Sequence, residues 1–212
     1  MTSVTVKTYP SPPIVSLTLI IATADPGPFS SSVLDVITYF LSQLPSLGDA
    51  GLSGYVPIFS RYPNPLDGGN TTVGGLAGLL AIQDTQNPND MLALIGPTIA
   101  HINVTWPGYV IIPNITVYSS FWTWYQDNYD KQSAGNDIFI GSRLLDKTAL
   151  TSNLSTSRAA YAQLLSGAGS GTAHLVSGKG VRNAKPRGGG DAVLPVWRKS
   201  YVHLSKFWIA PC

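Results

Sequence analysis

The chain contains no glutamate: its acidic set is 11 Asp, so no Glu is available as a general base. Charge of any sign is scarce, at 11% of residues, less than half of what an ordinary globular chain carries. There is one cysteine, Cys212, which excludes an intrachain disulfide and a cysteine-based metal site. The three histidines, His101, His174 and His203, are scattered and show no HxH or HxxxH spacing, so no metal-binding pattern is present. Long apolar runs are missing too. The longest, Ile14–Ala22, is far short of the roughly 20 residues of a membrane helix, and no membrane partner is expected. Met1–Pro10 does not read as a secretory leader.

What is present is glycine and proline, 37 residues among 212, which implies many turns between short elements. Hydrophobic residues make up 44%, enough for a sizeable core in a chain of this length. The net charge of +2 hides an asymmetry: residues 1–146 sum to −6 and residues 147–212 to +8. No basic helical stripe and no RNA-binding aromatic signature accompanies the excess, so nucleic acid is not an expected partner. Four N-glycosylation sequons occur, at Asn70, Asn103, Asn114 and Asn153.

Local patterns predict a short strand over 4–9, a buried β-branched strand over 14–22, and a helix whose apolar positions Val33, Val36, Ile37, Phe40, Leu41 and Leu44 recur at three and four, ended by Pro45 and Gly48. A strand follows over 51–59. Residues 72–95 are ambiguous, because Gly74, Gly75 and Gly78 weaken an otherwise helical spacing, and Asn87–Asp90 reads as a loop. Strand-like runs are predicted over 104–112 and 116–124, a helix over 148–165, and strands over 173–177 and 201–204. Residues 178–191, rich in Gly, Lys and Arg, read as a flexible basic loop. Strands cluster between few helices, so the expected fold class is α+β, a mostly antiparallel sheet flanked by helices in a single unit spanning 1–212.

Catalytic signatures are sparse. Gly188-Gly189-Gly190 lacks the spacing of a phosphate loop, and no G-x-S-x-G elbow exists. The densest feature is aromatic: Tyr118, Phe121, Trp122, Trp124, Tyr125 and Tyr129 could floor a pocket for a flat organic ligand or simply pack.

Four segments, taken together, resemble a known family. They are Val4-Thr5-Val6-Lys7-Thr8-Tyr9-Pro10; Leu44-Pro45-Ser46-Leu47 with Asp49–Tyr55; Gly141-Ser142-Arg143-Leu144-Leu145; and Ala192-Val193-Leu194-Pro195-Val196-Trp197-Arg198-Lys199. In this order they are similar to fungal FAD-linked oxidoreductases of the berberine-bridge type, within the vanillyl-alcohol oxidase superfamily. The last motif usually reads A-V-N-P-A-W-R-K in that family; here Leu194 and Val196 replace the Asn and the Ala. The resemblance covers only the family's middle domain, whose antiparallel sheet roofs the flavin ring. The flavin anchors and pyrophosphate loop have no counterpart, so the resemblance implies FAD for the full-length family and no FAD retained by this chain alone.

The same resemblance implies site residues. Where sugar- and alkaloid-oxidising relatives place a carboxylate on a roof strand, the similar stretch His174–Lys179 has Leu175. His174 and His203 are left as the candidate catalytic groups, with Tyr55, Tyr118, Trp122, Trp197 and Arg198 as candidate substrate-binding residues. The expected function is that of a partial FAD-linked oxidoreductase, covering the flavin during oxidation of a small metabolite or carbohydrate. The expected partners are a small-molecule substrate and a separate FAD-binding domain or chain. Two other readings stand beside it: a cofactor-free small-molecule binder or isomerase of secondary metabolism, and a non-functional remnant. The family is commonly secreted and glycosylated, which fits the sequons.

Overall fold

A computed structural model describes residues 3, 5–6, 8–25, 30–129, 131, 138–167, 169–185, 189 and 193–209. It is an α+β fold: seven antiparallel strands in one sheet, flanked by helices, with α1, α2 and α5 on the face that carries the main core. The strands are β1 (Ile14–Thr23), β2 (Ser53–Pro63), β3 (Thr72–Gln83), β4 (Tyr109–Tyr118), β5 (Ile138–Asp146), β6 (Ser170–Leu175) and β7 (Ser200–Ile209). Their order across the sheet is β4-β1-β3-β2-β6-β7-β5.

Alternation along β1 shows how the two faces arise. Val15, Leu17, Leu19 and Ile21 enter the main core, while Ser16, Thr18 and Ile20 point to the opposite, open face. Helix α1 (Ser31–Asp49) lays Val33, Val36, Ile37, Phe40, Leu41 and Leu44 on the core face, all essentially inaccessible to solvent. Helix α2 (Pro88–Thr105) adds Met91, Ile95, Thr98 and Ile102, a stripe at spacings of four, three and four. Helix α5 (Leu154–Leu165) closes the layer with Tyr161 and Leu165.

Several sequence expectations give way. The strand over 4–9 is absent among the described residues of that stretch. Pro45 does not end α1: it lies buried inside the helix, where packing of Leu44 and Leu47 outweighs the lost backbone bond. The ambiguous 72–95 stretch divides into β3 and the start of α2. The Asn87–Asp90 "loop" is the cap of α2: Asn87 accepts the Asn89 N–H through its side chain and Pro88 sits in the first turn. Residues 104–105 are therefore helical and β4 starts at Tyr109. The run over 116–124 breaks after Tyr118, because Ser120 and Thr123 form a capping box that opens helix α3 (Phe121–Asn128). The helix over 148–165 is two helices, α4 (Lys147–Thr151) and α5, each capped by its own side chain, Asp146 and Asn153.

Within the basic stretch, residues 179–183 form a short helix, α6 (Lys179–Asn183), rather than a loop. Arg182 Nε meets Asp49 at 3.0 Å, and its guanidinium lies 4.0 Å over the Tyr201 ring, whose hydroxyl donates to the same carboxylate. The segment is thus fastened to the end of α1. Residues 186–188 and 190–191 lie outside the described residues. A last short helix, α7 (Pro195–Lys199), precedes β7.

Candidate functional site

Backbone register lines up one residue from every strand on the open face. Asn114 pairs with Thr18, Thr18 with Leu79, Leu79 with Tyr55, Tyr55 with His174, His174 with His203, and His203 with Leu144. Directly opposed residues share a face, so this row crosses the whole sheet on the side away from α1 and α2. Its middle holds the polar and aromatic groups. The Tyr55 and His174 rings are 5.9 Å apart, the His174 and His203 rings 6.1 Å, and Trp197 of α7 packs 5.3 Å from His203. Both histidines are half-buried; His101, by contrast, is exposed on α2 and stacks 4.3 Å from Tyr39.

Of the residues nominated from sequence, Tyr55, His174, His203 and Trp197 come together. Arg198 is half-buried, next to Trp197 on α7. Tyr118 and the helix that carries Trp122 lie toward the β4 edge of the sheet. Tyr118 pairs with Ile14 at the end of β4, and its hydroxyl accepts a bond from Asn128. Trp122 stands 60% exposed on α3. The structure therefore separates the nominated set into a histidine centre and an aromatic flank.

Tyr55 joins the two. A cleft of about 100 Å³ lies between Tyr55, Leu79 and Ile14 of the sheet and Phe121 and Trp124 of α3. Trp124 is anchored there by its indole N–H, which donates to Ser16 Oγ at 3.1 Å. Leu79, Ser16 and Leu144 were not legible as site residues, since an open-face position is visible only once strand register is known. Gly54 sets up Tyr55: at φ +128°, with the Leu79 carbonyl occupying the space of a Cβ, only glycine fits.

Electrostatics favour a neutral His174. Burial comes first and the neighbouring His203 second, and both push its pKa below the ordinary 6.5. At neutral pH the ring is then a proton acceptor on an open, half-apolar surface.

A larger cavity of about 880 Å³ opens at the end of the sheet on the helix side, bordered by Gly48, Asp84, Asp90, Ser177 and Lys179. No group of three metal-ligating side chains exists among the described residues. A dinucleotide cofactor needs donors for its pyrophosphate as well as a surface for its ring. The open face offers the second. For the first, the glycine-rich turn after β6 leads only into the five-residue α6, and its entry is filled: a Cβ on Gly178 would stand 2.5 Å from the Gly48 carbonyl oxygen. The described residues do not fit a whole flavin dinucleotide.

Comparison of the fold with solved structures gives a consistent answer. The VAO-type flavoprotein MtVAO713 from Myceliophthora thermophila C1 matches with a TM-score of 0.78 at 21% identity, over 92% of this chain and 34% of that one. The fold is that of part of a VAO-type flavoprotein. MtVAO615 from the same organism matches at TM-score 0.66 and 13% identity, over 92% and 33% of the two chains. The glycopeptide hexose oxidase DBV29, solved with teicoplanin, matches at 0.57 and 15%, over 95% and 38%. The chain thus spans between a third and two fifths of the length of these three structures. No family model matches its sequence, and no curated protein matches it either.

Proposed function

We propose that residues 1–212 act as one unit, the substrate-covering part of an FAD-linked oxidoreductase of the berberine-bridge type, with FAD held by residues outside this chain. The row through Tyr55, His174 and His203 on an open sheet face carries this reading, and the VAO-type fold supports it. FAD would supply the redox chemistry. The chain's own part is to bind a small organic substrate, shield it from water and accept a proton. Tyr55 and Trp197 wall the centre, His174 Nδ1 or Nε2 receives the proton while neutral, and His203 stands next to receive it. Phe121 and Trp124 border the cleft that leads away from Tyr55, and Tyr118 and Trp122 extend that flank. The substrate class is a small metabolite or a carbohydrate.

The native assembly, residues 1–212 together with the domain or chain that holds FAD, isolated without denaturation from the cells that make it, tests this directly. It is expected to carry flavin absorbance that bleaches on adding substrate, and a His174→Gln variant should retain the flavin while turning over about 10²-fold more slowly. The wild-type rate should fall as pH drops through the lowered His174 pKa, and the variant should lose that limb. Native protein free of flavin would reject the oxidoreductase reading. Flavin with an unaffected variant would reject His174 as the proton acceptor.

A further inference from the structure

The sheet has two edges, and they differ. At one, β4 carries Pro113, which has no N–H to offer, and the sequon Asn114. At the other, β5 is nine residues long, contains no proline, and pairs with β7 on one side only among the described residues. Phe139 and Ile140 on β5 are 67% and 64% exposed. A long edge that exposes two large apolar side chains is a template for another strand.

We propose that this edge pairs with β5 of a second copy of the chain. The strand's own sequence argues for that occupant. Bonded and non-bonded pairs alternate along an antiparallel ladder, so a strand can pair symmetrically with its copy only about an axis passing beside one residue. Centring the axis at Ser142 overlaps all nine residues. Phe139 then faces Leu145 of the second copy and Ile140 faces its Leu144, each pair occurring twice by symmetry. Arg143 faces Gly141, so like charges are not directly opposed and the smallest residue meets the longest. The two seven-stranded sheets continue into one, with both Tyr55–His174–His203 rows on the same side.

The full chain in sedimentation velocity across the micromolar range is expected to show a reversible monomer–dimer equilibrium. Phe139→Lys with Ile140→Lys should weaken it at least about tenfold. Both side chains are exposed, and an unchanged circular dichroism spectrum confirms that the double variant folds. Register is tested separately. In a Cys212→Ser background, Ser142→Cys should close a disulfide with its own copy on mild oxidation, because directly opposed strand positions lie within disulfide reach. Asn114→Cys on the other edge should not. A chain that stays monomeric throughout, or one that cross-links through Asn114→Cys and not Ser142→Cys, overturns the proposal.

Discussion

His174 sits where two half-buried imidazoles face each other across adjacent strands, 6.1 Å apart, and that placement has a thermodynamic consequence. Its folded pKa lies below 6.5, mainly through burial and further through His203. Between 6.5 and the lower folded value the unfolded chain binds the proton and the folded chain does not. Stability therefore falls as pH falls through that window, levels off below it, and is fully present above 6.5. Urea midpoints measured on both sides of 6.5 should show this slope, and His174→Gln should flatten it. An equal slope in wild type and variant would place the proton elsewhere. The groups facing His174 across the sheet are Tyr55 and His203, with Trp197 beyond, so among the described residues no carboxylate opposes the effect there.

At the scale of elements, α3 is held onto the open face by few contacts. Ser120 and Thr123 cap it, Trp124 reaches Ser16, and no residue of the helix is fully buried. Removing the cap with Ser120→Ala should cost about 1 kcal/mol. That cost should appear as faster hydrogen exchange across residues 121–128 while the sheet stays protected; uniform loss of protection would show that α3 is integral to the core. This helix also marks the limit of what the sequence discloses. The apolar stripe of α1 and the β-branched run of β1 were plain, because each has one period and one buried face. Helix α2 was not, since its cap consists of Asn and Pro, which also make turns. Aromatics 121–124 read as the end of a strand because bulky rings favour strands, yet a two-residue capping box decides their geometry. The site was legible by halves. His174 and His203 lie 29 positions apart, and nothing in their spacing brings them together; the family resemblance nominated them, and register made them neighbours. Leu79 and Leu144 carried no signal, being ordinary leucines until the strands are paired.

For the whole molecule, the decisive feature is that the main core lies on one side of the sheet. Phe40 is fully buried at the centre of α1, within the cluster that joins β1, β2, β3 and the helices. Phe40→Ala should cost about 3–5 kcal/mol in a single cooperative urea transition. The surface pair of Arg158 and Asp35, 2.5 Å apart but more than a third exposed at each side chain, adds little by comparison. A split transition for Phe40→Ala would mean that the two halves of the sheet unfold separately.

The row across the open face ends at Asn114, which is exposed and is the acceptor of a sequon. An oligosaccharide attached there would project from the same surface as Tyr55 and His174, and would sweep the volume above that row. Asn70, Asn103 and Asn153 lie off that row, in a loop, on α2 and at the start of α5. A chain carrying sugars at these three would keep the face clear; one carrying a fourth at Asn114 would shade it. The route by which a cell synthesises this protein would then decide, before any ligand arrives, whether the face can be docked at all.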